Sequence, residues 1–512
     1  MLKFFHTPIE RFLFSPAYFI LFSAYPVFWM YAYNVHGILL VDFFRPWLIS
    51  IFAALLIFGI LQLVIRHSQT SALIVLSIFL AFFCYGSIRR SLNDLGVAVQ
   101  NDVFAMVWSS VEILAIILIG CNGRRWNSEH FAVSLNLMTV ILLLFPTIKL
   151  VVYAAKYAMP FERKTDNTVQ VHGAPSSPDI YYIILDSYTR SDVMKNQIEY
   201  DNSPFINSLR GMGFYVADCS QSNYSTTALS LSSSLNMDYL QNISDEFQPD
   251  QNDLLYTFKA LDSNALRNTL TGAGYKTVAF ASGFTWIEWR NADRFIAPEE
   301  KGISEFEVTI LSATYASVFE DFGIINLNDA YARHYAERTR LVLNSFDELL
   351  KLPSPKFVFI HIIAPHGPSY TMDEHGNYIS IDNGGVIGYK NLAEYIGRAI
   401  TPELRKLIYG SAIPPVIIIQ GDHGRTGSDP QDTMKILNAY YLPGHIDQLY
   451  PSISPVNSFR VVLNSYFGTN FPLLEDVSYF SPPSHKYAFI VEKGTCQKSI
   501  RADGANSFEI VR

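Results

Sequence analysis

Cysteine and charge are both scarce in this 512-residue chain, and each scarcity excludes something. Four cysteines are too few for a disulfide scaffold. Cys84 and Cys121 fall in or beside apolar runs, whereas Cys219 and Cys496 lie in a more polar region. If that region is outside the cytoplasm, these two can form one long-range disulfide. Charged residues make up only 16% of the chain against 49% hydrophobic and 14% aromatic, which is too apolar for an all-soluble protein. The excess is concentrated in the first third. A net charge of -8 argues against nucleic acid as a partner. No internal repeat, low-complexity segment or cleavable leader is expected.

What the chain has in quantity is long apolar runs. Five of them, near residues 13–32, 46–65, 71–87, 103–120 and 131–155, approach the roughly 20 residues a helix needs to cross a bilayer. Five buried core helices in a row would require a core without polar wrapping, so the expectation is an N-terminal bundle of five transmembrane helices. Lys149, near the outer end of the fifth, can snorkel to the interface. Lys3, Arg11, Arg66, Arg124 and Arg125 would share the cytoplasmic side, and Arg45, Arg89, Arg90 and Lys156 the other. An odd number of spans then places the rest of the chain outside the cytoplasm of a multi-pass inner (cytoplasmic) membrane protein. Glu112, the one acid inside a span, reads either as a functional carboxylate or as an interhelical partner.

The expected division is a transmembrane domain over 1–158, a polar linker over 159–178 and a catalytic domain over 179–512. Beyond the linker, helical patterns near 203–211, 264–273 and 329–350 alternate with strand-like runs at 277–281, 357–363, 416–420 and 436–442. Such alternation predicts an α/β domain with a central mixed sheet and helices on both faces.

Residues 178–187, Pro-Asp-Ile-Tyr-Tyr-Ile-Ile-Leu-Asp-Ser, organise that domain. Their continuous apolar run reads as a strand buried on both faces, and Asp186 closes it at the edge where ligands bind in open α/β sheets. A second such run, 416–420, ends in Gly421-Asp422-His423-Gly424. Two central strands thus deliver carboxylate and imidazole ligands to one sheet edge. That donor set suits zinc or manganese, with magnesium or calcium as alternatives. Gly424 would let the backbone turn sharply behind them. Ser225, Thr226 and Thr227 precede a small-residue helix, where a hydroxyl either caps the helix or, beside a metal, becomes a nucleophile. A third strand exit carries His361 and His366. His366 is placed to bind an oxyanion or protonate a leaving group, while His361 touches substrate or turns into the core.

The pattern of Asp186, the hydroxyl cluster, His366-Gly-Pro and Asp422-His423-Gly resembles the sulfatase-like branch of the alkaline phosphatase superfamily. The resemblance spans residues 178–470. With five preceding spans it is similar to phosphoethanolamine transferases and lipoteichoic acid synthases. It implies that Asp186, Asp422, His423 and Thr227 hold one divalent metal ion. Thr227 would be the nucleophile that forms a covalent ester, with Thr226 and Ser225 as alternatives.

Two departures shape the functional expectation. No Cys/Ser-x-Pro-x-Arg segment stands near Asn223, which lowers sulfate ester hydrolysis in favour of phosphorus chemistry. Arg425 replaces the Glu of many relatives and is expected to contact substrate. The expected function is transfer or hydrolysis of a phosphoethanolamine- or phosphoglycerol-type substituent on a lipid or glycan of the cell envelope, with membrane lipids as partners. A sulfuric ester hydrolase or a phosphodiesterase using water, and a catalytically silent envelope binding protein, are the alternatives.

Overall fold

The computed structural model describes residues 7–97, 99–123, 125, 129–173, 177–299, 302–366, 370–381, 385–427, 429–492 and 496. The chain forms two compact units, one of Met1–Met159 with Glu300–Tyr331 and one of Pro160–Glu299 with Ala332–Arg512. The expected boundaries therefore shift: a stretch from the middle of the chain belongs with the N-terminal helices.

In the helical unit, α1 (Pro8–Phe14), α2 (Tyr18–Tyr33), α3 (Leu40–Ile65), α4 (Ser68–Asp94), α5 (Asn101–Asn122) and α6 (Glu129–Ala158) follow one another. Four of these, α3 to α6, are each long and apolar enough to cross a membrane. The first expected span is broken: α1 and α2 meet at 83° and make a fifth crossing only if counted together. Pro16 explains the break, because the residue before a proline is driven out of the helical region, and Ser15 is extended at ψ 161°. Lys149 on α6 lies 3.8 Å from the ring centre of Tyr33 on α2, a cation–π contact that shields its charge. Glu112 on α5 accepts a 3.1 Å hydrogen bond from the Ser77 hydroxyl on α4, which favours the interhelical reading of that acid. Lys3 and Arg124 lie outside the described residues.

The returning stretch carries two short helices, Glu305–Ser312 and Ser317–Asp321. It docks where α4 has no side chain: a Cβ on Gly86 would stand 2.4 Å from the Ala313 carbonyl oxygen. Tyr315 donates its N–H to the Phe82 carbonyl at 2.8 Å, and its hydroxyl meets Ser109 Oγ at 2.6 Å. Its acids reach two of the arginines assigned above to one side of the membrane. Arg45 pairs with Glu307, and Arg89 with Asp321 at 2.9 Å.

The catalytic unit is built on a seven-stranded sheet. Its chain-order strands are β1 (Ile180–Leu185), β2 (Tyr215–Val216), β3 (Lys276–Phe280), β4 (Arg294–Ile296) and β5 (Lys356–Ile362), with a small hairpin of β6 (Tyr370–Met372) and β7 (Tyr378–Ser380) set apart. Then come β8 (Val416–Gln420) and β9 (Asn438–Tyr441). The order is β2-β9-β8-β1-β5-β3-β4, with β1 central and parallel to both neighbours, and β9 and β2 antiparallel at one edge. Side chains alternate across a strand. Tyr181, Ile183 and Leu185 therefore enter one apolar core with the helices Ser203–Gly211 and Gly385–Gly410. Ile180, Tyr182 and Ile184 enter the other, with Thr227–Asn236, Ala265–Gly272 and Pro455–Phe467. All six β1 residues are fully buried, and at roughly 1.5–3 kcal/mol for each large apolar side chain the strand is pinned in register.

Two expectations change in detail. The helical pattern over 329–350 is two helices, Leu327–Asn344 and Phe346–Lys351, separated at Ser345. The linker is bound rather than free: Lys164 N–H donates to the Ile243 carbonyl at 2.8 Å, and Val169 N–H to Thr269 Oγ1 at 3.1 Å. The Cys219–Cys496 disulfide forms, with the Cα atoms 5.3 Å apart.

Candidate active site

Parallel register brings the carboxyl ends of β8, β1 and β5 level, since Ile184 stands beside both Gln420 and His361. Asp186 follows one residue after β1, and its N–H still donates to the Ile362 carbonyl of β5 at 2.9 Å. Asp422 and His423 follow just after β8. All three side chains are buried, and one ligand atom from each lies within 4.8 Å of the others.

The turn after β1 holds them in place. Ser187 adopts φ 61°, a left-handed conformation uncommon for a residue with a side chain. In that geometry its N–H donates to Asp422 Oδ1 at 2.8 Å and its hydroxyl to Asp186 Oδ1 at 3.0 Å. One serine thus orients both carboxylates. Tyr389, on the helix Gly385–Gly410, clamps the same turn: its hydroxyl donates to the Ser187 carbonyl at 2.7 Å and accepts from Thr189 N–H at 3.1 Å.

His423 Nδ1 lies 2.7 Å from the Gly424 carbonyl, which assigns the proton to that nitrogen and leaves Nε2 as the electron-pair donor. Nε2 faces Asp422 Oδ2 at 3.5 Å and Thr227 Oγ1 at 3.3 Å. Asp422 Oδ2 is buried with no hydrogen-bond partner among the described residues. A buried carboxylate oxygen with no donor is costly. An imidazole nitrogen, a hydroxyl and carboxylate oxygens converging there fit a divalent cation. Burial works against charge on His423, but the carboxylates of Asp422 and Asp186 and the Gly424 carbonyl outweigh it and raise its pKa. Burial likewise opposes ionisation of Asp186. The hydrogen bond from His361 and the neighbouring imidazoles prevail, and hold its carboxyl well below the usual range.

The glycine of the Asp-His-Gly run serves close approach rather than a turn. A Cβ on Gly424 would stand 2.6 Å from the carbonyl oxygens of both Asp432 and Lys435.

Thr227 is the first residue of the helix Thr227–Asn236, whose ten residues are all buried. Serines spaced along it satisfy their hydroxyls internally, and Ser230 donates to the Asp422 carbonyl at 2.6 Å. The hydroxyl cluster separates clearly. Thr227 Oγ1 meets His423, Thr226 is exposed at the cap position, and Ser225 is buried with its hydroxyl accepting from Ser481 N–H at 3.3 Å.

His361 lies beneath the site, buried, with Nε2 3.0 Å from Asp186 Oδ2. His366 is exposed and meets the Phe284 ring edge-on, centroids 6.1 Å apart. The rest of its expected segment, Gly367, Pro368 and Ser369, lies outside the described residues. Arg425 sits with its guanidinium 5.9 Å from the Tyr389 ring centre.

The family model described as Sulfatase matches residues 178–459, more than half of the chain. The chain belongs to the sulfatase family. This sulfatase-family chain is thus an enzyme that carries membrane-length apolar helices ahead of its catalytic unit. No curated protein matches it. Among solved structures it is similar to the integral membrane protein lipooligosaccharide phosphoethanolamine transferase A from Neisseria meningitidis, at 15% identity over 88% of this chain and 95% of that one, TM-score 0.41. The C-terminal periplasmic domain of EcEptC from Escherichia coli aligns at 16% identity over 63% of this chain and 96% of that one, TM-score 0.43. Its complex with Zn aligns over the same shares at TM-score 0.44.

Neither Ser187 nor Tyr389 stood out in the sequence of this sulfatase-family protein. Only the polar residue directly after an apolar strand could have signalled the first. The second lies on a helix some 200 positions further along the chain.

Proposed function

We propose that this protein is a membrane-anchored, metal-dependent transferase of a phospho-substituent onto or from a cell-envelope lipid or glycan. The observation that carries this reading is the convergence of Thr227 Oγ1, His423 Nε2 and Asp422 Oδ2, which accepts no hydrogen bond among the described residues, beside Asp186. A divalent cation held by Asp186, Asp422, His423 and Thr227, zinc or manganese by the chemistry of the donors, would lower the hydroxyl's pKa and offset charge on the phosphoryl oxygens.

Thr227 gives up its proton to solvent, and its oxygen attacks phosphorus. A P–O bond forms to Oγ1 as the bond to the leaving alcohol breaks, and His366 supplies the proton that the leaving oxygen takes. An acceptor hydroxyl or water then attacks the Thr227 ester, its proton passing to His366 as the P–Oγ1 bond breaks and Oγ1 takes a proton back from solvent. Thr227 stands at a helix amino terminus, whose partial positive charge favours the anionic group. His361 acts on Asp186, as a positioning residue. Arg425 is the basic group for further contact with substrate.

Placement of the catalytic unit outside the cytoplasm of a cell membrane is part of the proposal. It is supported by the Cys219–Cys496 disulfide, which persists in oxidising compartments. The pairing of Arg45 and Arg89 with acids of one returning stretch agrees with the arginine distribution used to orient the spans.

The test is on the full chain in detergent, with bound metal by elemental analysis and turnover of p-nitrophenyl phosphodiester, phosphomonoester and sulfate substrates. Asp422→Ala should lose the metal and at least about 10³-fold of phosphodiester turnover, and Thr227→Ala should lose the covalent ester detected by mass spectrometry. Preferred sulfate turnover would make the protein a sulfuric ester hydrolase. An Asp422→Ala enzyme as active as wild type would sink the metal assignment.

A further inference from the structure

The family match ends at residue 459, yet the loop that presents Thr227 is held in part by residues beyond it. Two further strands follow the helix Pro455–Phe467: β10 (Ser478–Phe480) and its antiparallel partner β11 (Ile490–Glu492). β10 runs parallel to the stretch leading into the helix Thr227–Asn236, with Tyr224 and Tyr479 as bridge partners. Contacts run in step along the two. The Asn223 side-chain amide donates to the Val477 carbonyl at 2.9 Å, and Ser478 Oγ to the Ser222 carbonyl at 2.7 Å. Tyr479 N–H donates to the Asn223 carbonyl at 2.9 Å, and Ser481 N–H to Ser225 Oγ at 3.3 Å. The rings of Tyr479 and the fully buried Tyr224 stack, their centroids 5.6 Å apart and their planes 26° from parallel.

The start of the helix explains why such a hold matters. The first N–H groups of a helix have no partner within it, so its first turn depends on what surrounds it. Thr226, at the cap position, makes no side-chain cap hydrogen bond. Beyond Thr227 itself, the hydroxyls that tie the helix to its surroundings begin at Ser230, almost a turn further on. The place of Thr227 is therefore set as much by the extended stretch before it as by the helix after it. Ser222 and Asn223 are also held from other directions, by the Met434 carbonyl at 2.7 Å and the Val456 N–H at 2.8 Å. Ser225, two residues before Thr227, meets β10's end through Ser481.

We propose that β10 is a positioning strand for the nucleophile: Ser478 and Tyr479 fix the stretch 222–226 and, through it, where Thr227 Oγ1 stands against His423 Nε2. The inference rests on the reading of Thr227 as nucleophile. Asp186, Asp422 and His423 come from the ends of β1 and β8, which β10 does not join. Loosening β10 should therefore slow attack by Thr227 while metal and substrate are still held. A reacting atom displaced by about 1 Å costs on the order of 10²-fold in rate.

The full chain in detergent is mixed with excess p-nitrophenyl phosphodiester. The first turnover is followed by p-nitrophenolate release and by mass spectrometry of the Thr227 ester, each per mole of bound metal, beside a melting curve. Tyr479→Ala removes the ring from Tyr224 and keeps the backbone pairing. It should slow ester formation roughly 10–100-fold, with metal content and the half-saturating substrate concentration of that step unchanged. Ser478→Ala removes only the donor to the Ser222 carbonyl, should slow the same step by less, and reads it even where Tyr479→Ala fails to fold. Tyr479→Phe keeps the stack and should restore the wild-type rate. Ester formation at the wild-type rate in Ser478→Ala and in folded Tyr479→Ala would overturn the proposal, as would a loss confined to folded yield or metal content. Turnover by wild type with no ester on Thr227 would instead sink the nucleophile reading itself.

Discussion

Ser187 shows how much of this site rests on a single residue's backbone. Its left-handed turn aims an N–H at Asp422 and a hydroxyl at Asp186, so the separation of the two carboxylates is set by one strained peptide. Tyr389 holds that turn through both functions of its hydroxyl. Tyr389→Phe should therefore cost about 1–3 kcal/mol, because it leaves the Ser187 carbonyl and the Thr189 N–H buried without that partner. Support shells of this kind also tune affinity, and metal binding should weaken about 10–100-fold. Thermal unfolding together with metal titration checks both. A stability loss with unchanged affinity would make Tyr389 a packing residue only. Such a residue is invisible in sequence: Tyr389 is one of 30 tyrosines, and nothing local marks it as touching a turn at residue 187.

At the scale of elements, β1, β5 and β8 were readable because strands buried on both faces must be apolar throughout, and 180–185, 357–362 and 416–420 are nearly unbroken runs of Ile, Val, Phe and Tyr. Asp186, Asp422 and His423 were readable as the first polar residues beyond two of them. Harder to see was the returning stretch, since Glu305–Ser312 and Ser317–Asp321 are too short for a membrane signature and look like surface helices of a soluble domain. Nor does sequence show why Gly424 is a glycine. Spacing suggests freedom to turn, whereas the structure shows two carbonyls crowding its α-carbon. Gly424→Ala should accordingly destabilise the catalytic unit by about 1–3 kcal/mol or more, as overpacking against rigid backbone does, and lower turnover with it. Denaturant unfolding of the variant checks this, and a neutral effect would mean that the loop around Asp432 yields freely.

For the whole molecule, the Cys219–Cys496 link ties the C-terminal segment back to the turn after β2, across 277 residues. Closing so long a loop restricts the unfolded chain, and Cys219→Ser should lower the stability of the catalytic unit by about 2–5 kcal/mol. Calorimetry of wild type, variant and reduced wild type checks it, with the last two expected to coincide. The order in which strands join the sheet has a further consequence. The proposed metal ligands come from the ends of β1 and β8, and Thr227 from a helix buried between them in sequence. Asp422 and His423 come level with Asp186 through the pairing of β8 with β1. A chain still emerging from the ribosome, or truncated before Gly421, would thus lack a complete coordination sphere. Under the proposed assignment, metal uptake becomes an inspection step: the ion is captured only by a molecule whose sheet is already assembled, and half-made copies do not draw on the cell's supply.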